Sequence, residues 1–311
     1  MNERSTIYWS VLSSYEECPQ KFLWSKGWDG IDLGRGPGKS KAKPEIESPR
    51  HHAVMGTVIQ YAVEKMYNDE LWRNPATLAI VLLDIVEKEY LRQEADPRNQ
   101  MDYRNMDMTR SELIQTCKDG VLGYLKTMKA HKFIGPYAKA EVDLIGWVDK
   151  YTQVGGRADV IIRREDTGVT ILDGKNSKRR LEGVDPDQLK WYGLLFKLSY
   201  RQLPDRLAFA WYRFPYDQAS GEEGVDWVTC SEEDVKQLAS RVIEARLKMR
   251  KEMFDPTPAP SMCKYCDFET VCPARQAQRA ANAAKRGPRT PKPSIMGGGE
   301  SSGNGFTDFS M

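Results

Sequence analysis

Two apolar runs separated by a short turn constrain the fold of this chain more than any other feature. "TQVGGRADVIIR" and "GVTILDGK" flank "REDTG" and predict strands near 152–163 and 168–175. Residues two apart on a strand share a face, so Asp173 and Lys175 point the same way. A tight hairpin then brings Asp159 beside Asp173. Alternatively, Asp173-Gly174 is itself a plain hairpin turn, followed by a solvated basic run.

The rest of the chain alternates helical and strand patterns and indicates an α/β fold. Ser13-Ser14 are expected to cap a helical turn in "YEECPQKFLW", and Ser231 with Asp234 suits the start of a long helix. The predicted helices lie near 52–70, 75–95, 109–132, 185–199 and 231–253, and the further strands near 138–149, 205–215 and 225–230.

Composition divides the chain into segments of different character. Gly, Pro and charge dominate 29–50, and apolar residues are scarce after about residue 287, so we expect a flexible loop and a disordered tail there. The predicted organisation is an N-terminal segment carrying a cysteine (1–28), the loop (29–50), a helical region (51–135), the central core (136–255), a cysteine-rich segment (256–280), and a basic, then Gly/Ser-rich tail (281–311).

Overall charge does not identify a partner. The 311 residues carry 46 Lys+Arg and 44 Asp+Glu, a formal net charge of +2, so a nucleic-acid site would have to come from local clustering. No apolar run approaches the ~18–20 residues of a membrane span, and "MNERSTIYWS" lacks the apolar stretch of a signal peptide. We therefore expect a cytoplasmic protein.

The aspartates of the hairpin suggest a metal site. Two neighbouring carboxylates repel each other unless a positive charge lies between them, and a hard divalent cation with oxygen ligands meets that need. Such an ion would activate water and stabilise negative charge on a phosphate. Gln188 and Tyr192 are one helical turn apart on the next helix and share a face, from which both can hydrogen-bond a phosphate or the metal ligands.

The order of these motifs resembles the PD-(D/E)XK nuclease superfamily, within its RecB-like branch. "GRADVII", "ILDGKNS" and "QLKWY" match the core motifs of that branch. The resemblance implies a restriction-endonuclease-like core, with a mixed central sheet flanked by helices, an N-terminal helical insertion and a C-terminal segment held by an iron–sulfur cluster. The residues that it implies are metal-binding acids Asp159 and Asp173, catalytic Lys175, Gln188 and Tyr192, with the Gly174 carbonyl and Glu141 completing the metal shell.

One motif departs from the family pattern. The RecB-like branch usually has Gly-x-x-x-His and then an acid on an N-terminal helix, and "GTVIQYAVE" supplies Gly56 and Glu64 but Gln60 in place of the histidine. Its place at the usual histidine position makes Gln60 a candidate metal-shell residue, although glutamine cannot ligate a metal as imidazole does. His51 and His52 are out of register and are expected to be solvated at the start of the helix.

Cysteine spacing points to a second inorganic site. Three of the six cysteines form "MCKYCDFETVC" at 263, 266 and 272, and Cys18 lies in a similar Cys-Pro context near the other end. Cys117 and Cys230 look like small buried hydrophobes. Four thiolates suit structural zinc. Resemblance to the iron–sulfur CRISPR-associated RecB-like exonucleases implies instead a [4Fe–4S] cluster on Cys18, Cys263, Cys266 and Cys272, tying the two ends together.

The implied activity is metal-dependent DNA exonuclease. The resemblance implies Mg²⁺ or Mn²⁺, single-stranded DNA as substrate and 5′-to-3′ polarity, in recombination, repair, replication or CRISPR adaptation with the proteins of those processes as partners. Lys178, Arg179 and Arg180 form a basic run beside the predicted site, which would grip the DNA backbone or else be a solvated surface. The alternative is a noncatalytic DNA-binding or adaptor protein that keeps the cluster, or zinc, as a staple.

Overall fold

The computed structural model describes residues 6–26, 51–97, 99, 101, 103, 106, 108–177, 180, 184–264 and 266–286. The strands are β1 (Ile7–Tyr8), β2 (Ala138–Trp147), β3 (Gln153–Arg164), β4 (Gly168–Lys175), β5 (Arg206–Trp211) and β6 (Val225–Val228). The helices are α1 (Trp9–Glu17), α2 (Pro19–Lys26), α3 (His51–Asn68), α4 (Leu78–Glu94), α5 (Arg110–Ala130), α6 (Pro186–Tyr200), α7 (Glu232–Arg250), α8 (Pro260–Cys263) and α9 (Pro273–Arg286), with a 3₁₀ helix at Leu71–Arg73.

The six strands form one mixed sheet. Its order is β1-β3-β4-β5-β6, with β2 also paired to β3. β3 is antiparallel to both β2 and β4, whereas β4 and β5 run parallel because α6 crosses over between them. The long strand β3 pairs with β1 near its start and with β4 near its end. This confirms the predicted α/β class, a mixed sheet flanked by helices.

Each face of the sheet packs against its own set of helices. Helices α3, α4 and α5 share one core cluster with alternate residues of the strands, and α1, α6 and α7 share another cluster with the residues between them. The alternation is clear on β4, where Leu172 faces the first cluster and Ile171 the second. The sheet is therefore covered on both faces, as a sheet containing parallel strands requires.

On β2 and β3, the alternation of side chains between the two faces of the sheet reverses at one point. On β2, Ala140 belongs to the α3–α5 cluster but Leu144 to the α6–α7 cluster, although both positions are even-numbered. On β3, Ala158 and Val160 are divided between the clusters in the same way. Glu141 lies at this point and has φ of 53°, in the left-handed region that a non-glycine side chain rarely adopts. The sheet thus changes the direction of its side chains at Glu141.

The N-terminal segment packs against the C-terminal part of the chain. Arg241 on α7 pairs with Glu16 on α1 at 2.7 Å and also contacts Asp187 at the start of α6. The Tyr15 hydroxyl donates to the Met253 carbonyl at 2.7 Å. These contacts join α1 to α6, α7 and the residues just after α7.

Most of the observed elements agree closely with the periodicity in the sequence. Ser231 caps α7 in a reciprocal pair of hydrogen bonds with Asp234, as predicted. Ser13-Ser14 do not cap a helix: α1 begins at Trp9, so both serines lie inside it. The strand Ile7–Tyr8 was also not predicted, because two residues show no periodicity and the strand exists only through pairing with β3.

The predicted loop at 29–50 and the tail beyond residue 286 lie outside the described residues. None of the helices that the structure describes combines the length and hydropathy of a bilayer span.

Candidate active site

Asp159 and Asp173 face each other where β3 and β4 separate. The last pair in their antiparallel ladder is Val160 with Leu172, so the two aspartates occupy the next position on each strand. The Gly174 amide donates to Asp159 Oδ2 at 2.7 Å and closes the gap between the strands. The turn is formed at 165–167, before Gly168 with φ of 70°, so the Asp173-Gly174 pair ends a strand instead of forming a turn.

A third carboxylate lies on the other side of Asp159. Ala140 pairs with Val160 and Val142 with Ala158, so Glu141 is opposite Asp159 across the β2–β3 ladder. The left-handed φ of Glu141 occurs at this position. Strained backbone conformations persist where surrounding structure enforces them, and they concentrate at functional sites. Three acids therefore lie on adjacent strands at the point where the sheet rotates.

Lys175 is held between Asp173 and the helix that follows. Its Nζ lies 2.5 Å from Asp173 Oδ2 and donates to Gln188 Oε1 at 2.9 Å. Gln188 Nε2 in turn donates to Asp173 Oδ1 at 3.3 Å. Helix α6 begins just before Gln188 because Asp185 caps it and Pro186 occupies its first turn. The structure therefore brings these three predicted residues into one hydrogen-bonded group.

Tyr192 is buried one turn further along α6. Its pKa is raised, first by burial and then by the negative charges of Asp173 and Asp159. The hydroxyl is therefore a neutral group at neutral pH, suited to hydrogen bonding and not to proton abstraction.

The two aspartates are electrostatically unfavourable as they stand. Burial, and then the charge of Asp173, raise the pKa of Asp159 to about 8, while the Gly174 amide opposes that rise. Burial also raises the pKa of Asp173, although Lys175 opposes it. A divalent cation between them would replace repulsion with attraction. The donor set thus suits a hard cation, although no three His, Cys, Asp or Glu side chains of the described residues lie close enough to hold a metal ion.

Gln60 positions Glu141, a role that differs from the metal ligation considered for it. Gln60 Nε2 donates to Glu141 Oε1 at 2.7 Å, and the Tyr212 hydroxyl donates to Gln60 Oε1 at 2.6 Å. A carboxylate only accepts, so the amide nitrogen must face Glu141 and the amide oxygen Tyr212. The oxygen of Gln60 therefore already serves Tyr212.

Tyr212 is a site residue that the motif patterns did not predict. It is buried just after β5, and a Cβ on Gly174 would lie 1.9 Å from its hydroxyl oxygen. Glycine at 174 is therefore required by Tyr212 packing directly against the Asp-x-Lys strand. In the sequence, Tyr212 appears as one aromatic residue in "AWYRF" among several, with nothing to distinguish it from the core.

Glu141, Asp159, Gly174 and Tyr212 line a cleft of about 390 Å³ between the sheet and α3. Asp173 and Lys175 are not part of its lining and face α6 instead. Gly56, Gln60 and Glu64, at four-residue intervals on α3, form one wall. The lining also includes Glu89, which is buried on α4 and receives two hydrogen bonds of 2.6 Å from Arg92. This ion pair was not predicted either, because an (i, i+3) pair on an amphipathic helix resembles ordinary surface.

The structure describes only one of the three predicted DNA-contact residues, Arg180. Lys178 and Arg179 lie outside the described residues. Arg180 is part-buried and paired with Asp226 at 2.6 Å and with Glu222, so its charge is already neutralised. It anchors the segment after β4 to β6, and the phosphate grip predicted for it does not fit this pairing.

His51 differs from its predicted solvated state. It begins α3 but is buried, 2% exposed, with its ring 4.0 Å from that of His52. It does not line the cleft.

All four predicted cluster cysteines line a single cavity near the N-terminal segment. Cys18 follows α1, and Cys263, Cys266 and Cys272 lie in the segment after α7. Burial raises the pKa of Cys266, and the neighbouring Cys18 and Cys263 add to that rise. Cys117 is fully buried, as predicted, and burial raises its pKa to about 12. Cys230 is only part-buried.

One of the comparisons with known proteins gives a family match. A family model described as the PD-(D/E)XK nuclease superfamily matches residues 9–273. No curated protein matches the chain. One solved structure, titled "Crystal structure of SSO0001", is 15% identical over 88% of this chain and 89% of its own, with a TM-score of 0.38, a likeness too low to support any argument. Proteins of the matched superfamily are generally nucleases that use divalent cations such as Mg²⁺ or Mn²⁺. Because the family match covers most of its length, this chain belongs to the PD-(D/E)XK nuclease superfamily.

Proposed function

We propose that the protein is a metal-dependent DNA exonuclease of the RecB-like branch, acting on single-stranded DNA from 5′ to 3′. Polarity and strand preference come from the motif resemblance to the stand-alone members of that branch. The proposed setting is the cytoplasm, with recombination, replication or CRISPR adaptation proteins as partners.

One observation carries the proposal. Glu141, Asp159 and Asp173 lie on three adjacent strands, and Lys175 forms an ion pair with Asp173. A purely structural role does not account for this set, because Lys175 neutralises only Asp173, and burying Asp159 beside it costs stability.

A divalent cation at this position would be held by Asp159 and Asp173, with Glu141 and the Gly174 carbonyl as further candidate ligands. When bound, it would supply Lewis-acid stabilisation of the phosphate and lower the pKa of water.

The protein's own side chains would orient the reaction. Lys175 lies against Asp173 and is fixed by Gln188, so its ammonium can orient a water molecule and offset negative charge on the phosphate. The Tyr192 hydroxyl and the Gln188 amide are donors at the same edge and can hydrogen-bond a phosphate oxygen. Burial of Asp173 keeps bulk water from screening these contacts.

We propose that Cys18, Cys263, Cys266 and Cys272 hold a [4Fe–4S] cluster. Their shared cavity supports the assignment, as does the effect of Cys18 and Cys263 on the pKa of Cys266. Binding would have to draw the thiols together, since no three of the described ones lie at ligand spacing. Protein purified without oxygen should absorb broadly near ~400 nm, as iron–sulfur proteins do. Colourless protein with stoichiometric zinc and no iron would contradict the cluster and favour a zinc staple.

The nuclease test uses oligonucleotides labelled at the 5′ or 3′ end, single- and double-stranded, with and without Mg²⁺ or Mn²⁺. We expect metal-dependent degradation of single strands from the 5′ end, and its loss in Asp173→Asn and Lys175→Ala. Asp84→Asn is the matched control, since Asp84 forms an exposed ion pair with Lys88 on α4. Wild-type rates in purified Asp173→Asn would overturn the site assignment.

A noncatalytic DNA-binding or adaptor role is the second candidate. The engagement of Gln60 with Glu141 and Tyr212, where relatives have histidine, favours it. DNA binding with no degradation under either metal would establish it.

A further inference from the structure

A second groove begins at the active-site cleft and follows the open edge of β2. Its volume is about 730 Å³, and Glu141 lines both this groove and the catalytic cleft. Among the described strands, β2 pairs only with β3, so its other edge faces the groove. From Glu141 to Tyr137 the groove follows ~13 Å of strand. The groove is therefore a path that leads away from the acids.

Acidic side chains along the groove are already engaged by the protein itself. Asp143 is bound by Arg157 at 2.7 Å, and Glu70 pairs with Arg73. Glu141 is held by Gln60. These pairings remove most of the repulsion that a phosphate backbone would meet in the groove.

Two cations in the groove are left without such partners. Lys139 and Arg163 are exposed on β2 and β3, and neither pairs with a carboxylate in the part of the chain that the structure describes. Each can contact a phosphate without first breaking an internal ion pair.

Flat surfaces lie beside these cations. Tyr200, at the end of α6, is 41% exposed, and the Arg163 guanidinium lies 4.3 Å from its ring centroid. Trp72, on the 3₁₀ helix, lines the groove with Arg73 5.0 Å from its ring. Aromatic and guanidinium planes stack on bases, which are accessible in an unpaired strand but covered by their neighbours in a duplex.

We infer that this groove binds an unpaired nucleic-acid strand, with bases on Tyr200 and Trp72 and phosphates on Lys139 and Arg163, and leads it to or from the cleft at Glu141. The inference rests on the proposed function and adds to it the surface that selects single strands. A peptide strand adding to the β2 edge is the alternative occupant. The two cations favour the nucleic acid, as does the Asn68 side chain, which already occupies the backbone groups of Ala140.

The test is binding of a fluorescent single-stranded oligonucleotide by anisotropy, without added divalent cation so that no cleavage intervenes. Tyr200→Ala and Trp72→Ala should each weaken single-strand affinity about tenfold and leave duplex affinity unchanged. Lys139→Ala should lower the dependence of log affinity on log salt by about one contact. The matched control is Tyr151→Ala, since Tyr151 is 51% exposed and has Lys150 4.7 Å over its ring, but lies in the β2–β3 turn.

The inference is wrong if Tyr200→Ala and Trp72→Ala bind single strands as tightly as Tyr151→Ala does. That result would favour a peptide strand as the occupant of the β2 edge. Cleavage assayed on the same variants separates the two proposals. If cleavage depends on metal but the groove variants have no effect, the nuclease proposal stands and the groove proposal is wrong. If the groove variants weaken binding but the wild type does not cleave, the groove proposal stands and the nuclease proposal is wrong. Melting temperatures of all variants exclude misfolding as the cause.

Discussion

At the scale of single residues, the strongest physical tension lies between Asp159 and Asp173. The pKa of Asp159 is raised by burial and by Asp173 to about 8, so the folded, metal-free protein holds a proton that the unfolded chain releases near pH ~4. The stability that this proton contributes is complete below pH ~4 and is lost as the pH rises to about 8.

Asp159→Asn should therefore make the metal-free protein more stable at pH 8 while abolishing cleavage. We expect a gain of at least ~1 kcal/mol, or a melting temperature higher by roughly 2 °C or more. Melting curves from pH 5 to 8 without divalent cations measure it. Added Mg²⁺ should stabilise the wild type more than the variant, since ligands stabilise the state that binds them. A variant that is less stable than the wild type at pH 8 would contradict the repulsion.

A second residue-scale prediction concerns the chain from Tyr212 through Gln60 to Glu141. If Gln60 acts by holding Glu141, Gln60→Ala and Tyr212→Phe should each raise the Mg²⁺ concentration for half-maximal cleavage several-fold. The double variant should be no worse than Gln60→Ala, because both changes act through one hydrogen-bonded chain. Additive effects in this double-mutant cycle would show that the two side chains act separately.

The sequence predicts the parts of the site that depend on local geometry. Asp173 and Lys175 share a face because they are two apart on one strand, and Gln188 and Tyr192 because they are four apart on one helix. Tyr212 depends on contacts with Gly174 and Gln60, which are distant in the chain. No periodicity encodes such contacts, and the same limit applies to the pairing of Arg180 with Asp226.

At the scale of secondary-structure elements, β2 reverses the direction of its side chains at Glu141, where the backbone has a left-handed φ. We expect this conformation to cost stability. Left-handed φ costs an ordinary residue ~1–3 kcal/mol and a β-branched residue more, whereas glycine adopts it freely. Glu141→Gly and Glu141→Val both remove the carboxylate, but only glycine relieves the strain.

We therefore expect Glu141→Gly to exceed Glu141→Val in unfolding free energy by ~1–3 kcal/mol, while both lose cleavage to the same extent. Urea denaturation of the two variants measures the difference directly. Equal stabilities would mean that the backbone at 141 can relax at no cost, and that the rotation of the sheet has another origin.

Element positions were predictable where a segment buries one face. α3, α4, α5, α6 and α7 each present buried residues at helical spacing, and the predicted bounds agree within a few residues. The observed β5 is shorter than the strand predicted at 205–215. It ends at Trp211, because the chain leaves the ladder before Pro215. The residue pattern of one strand does not indicate where its pairing with a neighbouring strand ends.

At the scale of the whole molecule, the segment around Cys18 meets the segment from Pro256 to Arg275 beside the four cysteines. A cluster spanning Cys18 and Cys263 would close a loop of more than two hundred residues, which restricts the unfolded chain. The same ends are also joined by protein contacts. Arg241 binds Glu16, and the Thr257 hydroxyl donates to the Glu17 carbonyl at 2.9 Å.

These two kinds of connection can be separated by experiment. Cys18→Ser should lose the absorption near ~400 nm, while α1 stays docked through Tyr15 and Arg241. Hydrogen exchange of 9–17 should then remain slow, with a stability loss of ~2–4 kcal/mol from opening the long loop. Adding Arg241→Ala to Cys18→Ser should release the segment and speed exchange there. Fast exchange in Cys18→Ser alone would mean that the cluster, and not the ion pairs, holds the N-terminal segment on the nuclease core.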